Sequence, residues 1–140
     1  MNKNIRAAFL LLIAVQGLHS TEEFIFKFYE VFPPMVWVYR NAPHLAAPAF
    51  VIFNLLLVLA GFICFLRWVR PNQRGARAVV WFWIGLETLN AVAHCVWAIL
   101  IGGYNPGLVT GLGFVPVVAY LSYQLWRGPQ LKNGMKAARS

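Results

Sequence analysis

The sequence contains no aspartate, and all four of its acidic residues are glutamates. Only 11% of the 140 residues are charged, whereas 60% are hydrophobic. So few charged side chains cannot cover the surface of a soluble globule of this size. The mean hydropathy of +0.62 agrees with this reasoning. We therefore expect lipid to cover part of the surface and the chain to be an integral membrane protein.

Cysteine is also scarce, with only Cys64 and Cys95 present. We expect these two residues at different depths of neighbouring helices, which makes a disulfide between them geometrically unfavourable. Each then acts as a small apolar packing residue. The chain also lacks internal repeats and low-complexity tracts, so we expect a single domain over residues 1–140.

Positive charge is in excess, because 12 lysines and arginines face four acidic residues and give a net charge of +8. Such an excess could indicate a nucleic-acid-binding protein. The basic residues, however, lie at the ends of apolar segments and do not follow one face of a helix. They are therefore interpreted as signals of membrane topology, and no nucleic-acid partner is expected.

Four apolar segments cover residues 5–28, 47–69, 78–101 and 107–126. Each is near the ~20 residues that span the hydrocarbon of a bilayer, and none shows strand-like alternation. The first could instead be a cleaved signal peptide, but it lacks an A-x-A site and is long enough to span. The sequence predicts an all-α membrane protein, a bundle of four transmembrane helices.

The orientation of this bundle follows from the distribution of its basic residues. Four spans place both termini and the middle loop on one side. Only Lys27 and Arg40 fall on the other side, whereas ten residues share the side of the termini: Lys3, Arg6, Arg67, Arg70, Arg74, Arg77, Arg127, Lys132, Lys136 and Arg139. By the positive-inside rule, the protein is a multi-pass protein of the bacterial inner membrane with cytoplasmic termini.

The segments between the spans differ in character. Residues 27–46 form a long connection rich in aromatic residues and proline, which is either an interfacial anchor or a lid over the helices. Residues 102–106 form a short uncharged turn that joins the last two helices as an antiparallel pair. We assign Gly107 and Gly111, a small-xxx-small pair, to helix packing, and Pro116 to a kink.

Two of the predicted helices carry polar stripes. His19, Glu22 and Glu23 stand at i, i+3 and i+4 of the first helix, with Gln16 one turn earlier. The third helix has its own stripe at i, i+3 and i+7, and the second helix adds an asparagine; these residues are Glu87, Asn90, His94 and Asn54. From the helical rise, His19 lies about 21 Å from the inner end of its helix, His94 about 24 Å and Asn54 about 20 Å. The stripes are therefore expected to meet in the outer half of the bilayer.

Ionisable side chains in hydrocarbon are costly unless they pair or bind a ligand. Imidazoles and carboxylates together are ligands of zinc, iron and manganese, and this set predicts a divalent metal site, formed by His19, Glu22, Glu23, Glu87 and His94. Diiron bundles use the order Glu-x-x-His, whereas the first helix here has His-x-x-Glu. The pattern therefore does not decide whether the site holds one metal ion or two. The alternative is a metal-free hydrogen-bonded network that joins the helices.

Three sequence stretches, HSTEE at 19–23, NAVAH at 90–94 and YNPGLVT at 104–110, match HxxEE, NxxxH and YxPGxxT patterns in that order. The chain therefore resembles the HXXEE family of small bacterial integral membrane proteins, whose activity is uncharacterised. The resemblance implies a metal-dependent membrane enzyme. It also implies the site residues His19, Glu22, Glu23, Asn90, His94, Tyr104 and Thr110, whereas Asn54 and Glu87 rest on placement alone.

The sequence thus predicts a metal-dependent membrane enzyme with a hydrolase-like or oxidative activity on an amphipathic small molecule from the outer leaflet. Glu22 or Glu23, whichever is not a ligand, is the candidate general base. Asn54, Asn90 and Thr110 would orient ligands or substrate, with Tyr104 at the mouth. Two other classes stay open: a metal or proton transporter, and a haem protein with two histidine ligands.

Overall fold

A computed structural model describes the backbone of residues 1–137, and the side chains of this range except those of Pro34 and 128–137. All regular structure in this described part is helical, which confirms the all-α class. Six helices follow in chain order: α1 (Lys3–Ile25), α2 (Phe28–Val31), α3 (Pro33–Asn41), α4 (Pro43–Cys64), α5 (Ala76–Ile101) and α6 (Leu108–Ala137). A π-helical turn, Phe65–Val69, continues α4 directly.

Four of the described helical stretches are long and apolar enough to cross a membrane: Lys3–Ile25, Pro43–Val69, Ala76–Ile101 and Leu108–Arg127. This confirms the predicted class of four-helix membrane protein. The first span ends three residues earlier than predicted, because Lys27 adopts a left-handed conformation with φ of 56° and interrupts the helix. The second begins four residues earlier, because Pro43 fits the first helical position, where no amide hydrogen is needed.

Local signals at the helix ends explain where the spans begin and end. The Asn2 side chain accepts a hydrogen bond of 2.9 Å from the amide of Ile5 and caps α1. Gly102 ends α5 in the left-handed conformation that glycine adopts without strain. The short polar turn 102–107 then reverses the chain into α6, so α5 and α6 run antiparallel.

The helices pack in a defined order. α1 lies between α4 and α6, and α5 packs along α6. The second span approaches α5 mainly through the π-helical turn at its C-terminal end. The buried apolar side chains concentrate at the end of the bundle where α1 begins, which we call the terminal end; they include Phe9, Leu12, Trp83, Leu121 and Leu125.

The opposite end of the bundle carries α2 and α3, the connection predicted to be an anchor or a lid. Lys27 and Arg40 lie there, whereas Lys3, Arg70 and Arg77 lie at the terminal end. Of the basic residues counted for topology, Arg139 lies outside the described residues. Many large apolar side chains on the outer faces of the spans are exposed, including Leu89, Ile99 and Leu100. Such faces suit a lipid environment, so the chain is a multi-pass membrane protein.

Candidate metal centre

The centre of the polar region is formed by His19 and Glu23 of α1 and by His94 of α5. Their exposed fractions are 0%, 6% and 3%. One donor atom from each residue lies within 4.8 Å of the other two, so the group could hold a metal ion. Oε1 of Glu23 is 3.5 Å from Nε2 of His19 and 3.3 Å from Nε2 of His94. The imidazole centroids are 4.8 Å apart, so the two histidines meet as their predicted depths require.

The hydrogen bonds of Asn105 determine the tautomer of His94. The side-chain Nδ2 of Asn105 donates to the backbone carbonyl of His94 at 2.8 Å, which leaves its Oδ1 as an acceptor. This Oδ1 lies 2.7 Å from Nδ1 of His94, so Nδ1 must carry the proton. A neutral His94 therefore directs the lone pair of Nε2 towards Glu23.

Thr110 determines the tautomer of His19 in the same way. Its hydroxyl donates its single proton to Oε2 of Glu22. The Oγ1 atom of Thr110 is 3.0 Å from Nδ1 of His19 and can only accept there, so Nδ1 of His19 is protonated. The lone pair of Nε2 again points at Glu23, and this buried Nε2 has no hydrogen-bond partner among the described residues.

Three acceptor atoms thus converge in a buried site. With neutral imidazoles and an ionised Glu23, this arrangement needs a cation or a proton among the three atoms. A charge-assisted N–H···O hydrogen bond would bring nitrogen and oxygen to about 2.7–2.9 Å. Ligand atoms around a tetrahedral ion with bonds of about 2.0–2.1 Å lie roughly 3.3 Å apart. The distances from Glu23, 3.3 and 3.5 Å, are closer to the second spacing, and the three donor atoms all lie within 4.8 Å of one another.

Glu22 turns away from this group and binds the start of α6. Its carboxylate accepts hydrogen bonds from the amide of Thr110 at 2.8 Å, from the amide of Val109 at 3.3 Å and from the hydroxyl of Tyr104 at 2.6 Å. It thereby satisfies two amides of the first turn of α6. Burial and the hydrogen bond to Glu22 raise the pKa of Tyr104 to about 12, so this hydroxyl stays a donor at neutral pH. The role of Glu22 as ligand or base stays a prediction.

Glu87 is fully buried on α5 but does not belong to the group of three. When the amide nitrogen of Gln16 faces it, that nitrogen lies 3.0 Å from one carboxylate oxygen. Asn90, one turn further along α5, also interacts with the carboxylate. Asn54 of α4 accepts a hydrogen bond of 2.7 Å from the hydroxyl of Ser20, and its own amide donates to the carbonyl of Phe50. Glu87 and Asn54 therefore lie close to the centre but outside the group of three.

Gly107 lies directly against the two imidazoles. A Cβ atom at this position would stand 2.6 Å from Cε1 of His94 and 2.8 Å from Cε1 of His19, closer than atoms can approach. Its φ of 92° is also one that other residues rarely adopt. The missing side chain of Gly107 therefore allows close packing against α1 and α5 and also makes room for the two imidazoles. Gly111, one turn on, also borders both histidines.

Sequence reasoning missed Asn105, Ser20 and the role of Gly107. Asn105 and Gly107 do fall within the YxPGxxT stretch, where the glycine was the available signal. A cavity of about 610 Å³ opens beside the centre, and Glu23, Glu87 and His94 reach its wall. The ring of Phe28, from α2, covers His94 with 5.2 Å between centroids.

Four apolar spans and a buried histidine–glutamate group able to hold a metal ion define the class: a multi-pass helical membrane protein with a polar centre inside the bundle. The chain belongs to the family of proteins of unknown function with an HXXEE motif, whose family model matches residues 10–121. His19, Glu22 and Glu23 form the motif that names the family. Comparison with curated proteins and with solved structures gave no match.

Proposed function

We propose that the protein is a membrane-embedded metalloenzyme with one divalent cation held by His19, Glu23 and His94. The observation that carries this proposal is the convergence of three acceptor atoms whose outer hydrogen bonds fix the tautomers of both histidines. Second partners of this kind are typical of metal-bound histidines, where they orient the ring and raise its basicity. In a cluster that served only to join helices, hydrogen-bond donors would have to face these three acceptor atoms.

The number of ligands supports a catalytic rather than a structural ion. Structural zinc sites are closed by four protein ligands, whereas catalytic sites commonly use three and leave one position open. Here two of the three residues, Glu23 and His94, line a cavity of about 610 Å³, through which a substrate could reach the group. Two imidazoles and one carboxylate suit zinc or ferrous iron, while manganese prefers sites richer in oxygen.

The chemistry that this arrangement supports best is hydrolysis of a carbonyl compound. A divalent cation would supply a Lewis acid that polarises the carbonyl oxygen. Glu87 lines the same cavity. In this proposal its carboxylate takes a proton from the attacking water and returns it to the leaving group. The amides of Gln16 and Asn90 hold the carboxylate of Glu87 in place. Glu22 accepts the hydroxyl proton of Thr110, and Thr110 in turn orients His19.

We also propose that the terminal end of the bundle faces the cytoplasm of a bacterial cell and that the centre lies in the outer half of the inner membrane. The support is the distribution of positive charge, since Lys27 and Arg40 are the basic residues counted on the opposite side. The lipid bilayer is then the first partner of the protein.

The proposal is tested by elemental analysis of protein purified in detergent without chelators. We expect about one zinc or iron ion per chain and a rise of the melting temperature on adding metal to stripped protein. His19→Ala, His94→Ala and Glu23→Gln should each lower bound metal by roughly tenfold or more. Glu30→Gln is the matched control, because Glu30 forms an ion pair with Lys27 outside the centre. Metal-free wild type whose melting no divalent ion shifts would contradict the proposal.

A further inference from the structure

The cavity beside the centre lies between two helices that do not close against each other. α4 packs on α1 and α5 packs on α6, and the second span reaches α5 mainly through the π-helical turn at the terminal end. Towards the other end the two helices are separated, and the space between them forms the cavity of about 610 Å³. This volume falls in the range of about 300–1,000 Å³ that is typical of small-molecule sites.

The wall of this cavity is apolar except where it meets the centre. Phe53 and Leu57 of α4 face Leu89 and Ala93 of α5 across it. Phe53 is 65% exposed and Leu89 is 71% exposed, although both lie within membrane spans. The gap between α4 and α5 therefore opens to the hydrocarbon of the bilayer.

The route from the aqueous side is covered by aromatic rings. Phe28 stacks on Phe32 with centroids 4.9 Å apart and planes at 17°. The same ring lies 5.6 Å from Trp97 and covers His94. A water-soluble substrate would have to displace this stack, whereas a lipid chain can enter sideways between the helices.

The charges of the lining restrict the polar group that can reach the centre. Glu23 and Glu87 contribute carboxylates, and Gln16, Asn54 and Asn90 contribute amides. Among the described side chains that line this cavity there is no lysine or arginine, the residues that normally bind phosphate and carboxylate groups. Apart from the proposed cation itself, an anionic headgroup would therefore meet the carboxylates of Glu23 and Glu87 without a basic side chain as partner, whereas an uncharged group avoids this repulsion.

We infer that the cavity binds a long-chain, uncharged acyl ester or amide, with its hydrocarbon chain between α4 and α5 and its carbonyl beside Glu23 and His94. The identity of the reacting carbonyl rests on the proposed function. Binding of the hydrocarbon chain does not rest on the proposed function, because the apolar walls of the cavity include no residue of the metal-binding group. The two ideas can therefore fail separately.

The test uses a fatty-acid methyl ester with a photoreactive diazirine in mid-chain and the purified protein in phosphatidylcholine nanodiscs. After irradiation, we expect labelled residues to concentrate in the stretches 53–57 and 86–97. Ala93→Trp fills the opening and should lower labelling severalfold. Val92→Trp is the matched control, since Val92 is exposed at the same depth of α5 but does not line the cavity.

Metal content and melting temperature are measured on each variant, so that a misfolded Ala93→Trp is recognised. If that variant is unstable, labelling of metal-stripped wild type in competition with methyl palmitate and with hexadecyl phosphate replaces it. We expect the methyl ester to compete and the phosphate to fail. Uniform labelling of all lipid-facing residues would overturn the inference. Equal competition by the phosphate would show that the headgroup need not be uncharged. Metal-free protein that still shows localised labelling would contradict only the proposed metalloenzyme.

Discussion

At the scale of single residues, the centre depends on two side chains that are outside it. Asn105 and Thr110 each place an acceptor oxygen against Nδ1 of a histidine, at 2.7 and 3.0 Å. Each thereby retains the proton on Nδ1 and leaves Nε2 free to bind a cation. Both are positioning residues, because they act through a histidine and do not contact the cation position themselves.

Asn105→Ala and Thr110→Val should therefore weaken metal binding without removing it. Loss of such outer hydrogen bonds typically costs about 10–100-fold in metal affinity, because the ring becomes free to rotate or change tautomer. A competition titration with a coloured chelator measures this affinity. Asn41→Ala is a suitable control, since that amide bonds only the exposed backbone of α3. Unchanged affinity in both variants would mean that the tautomers are not held as described.

The residue pattern allowed part of this centre to be predicted. Helical rise placed His19 and His94 at one depth, and helical spacing placed Glu23 on the same face as His19, one turn further out. The same spacing could not show which of Glu22 and Glu23 joins the two histidines. These residues are adjacent in one polar stripe, and they differ in which neighbouring helix they face. Glu22 binds α6 and Glu23 faces α5, and this choice depends on helix packing.

At the scale of elements, the turn between α5 and α6 brings the last helix against the centre. Gly107 in this turn has φ of 92°, and the position of its absent Cβ is occupied by the imidazoles of His19 and His94. The turn therefore controls how closely α6 approaches both histidines. Its asparagine, Asn105, holds His94 at the same time.

Gly107→Ala should displace the imidazoles and abolish stoichiometric metal binding. It should also lower the melting temperature in detergent, since a non-glycine residue with this backbone conformation costs about 1–3 kcal/mol. Gly107→Leu should disturb folding further. Gly103→Ala in the same turn is the control, because a Cβ there meets no atom within 4 Å. A Gly107→Ala variant that binds metal normally would show that the contact is not restrictive.

The four spans could be predicted because length and apolar content alone distinguish them. The helical character of residues 28–41 was not predicted, since two short helices leave no periodic signal over enough residues. The cavity was not predictable either. It arises from the separation of α4 and α5, because α4 packs on α1 whereas α5 packs on α6.

At the scale of the whole molecule, the charge distribution predicts orientation. A reporter inserted near Gln73, or fused after Ser140 beyond the described residues, should be cytoplasmic, whereas one near Arg40 should be outside. The physical reason is the retention of lysine and arginine on the cytoplasmic side, where ten of the 12 are expected. Paired reporters, one active only outside and one only inside the cell, measure this. A cytoplasmic Arg40 reporter would overturn the orientation.

The apolar core and the polar centre occupy different ends of the same bundle. Phe9, Leu12 and Leu125 pack at the terminal end, whereas His19, Glu23 and His94 lie nearer to α2 and α3. Close packing at one end can hold the helices together while the side chains at the other change. Substitutions can therefore alter or abolish the polar centre and still leave a chain that inserts and folds. The stability of the bundle and the chemistry of its centre can then change independently in evolution.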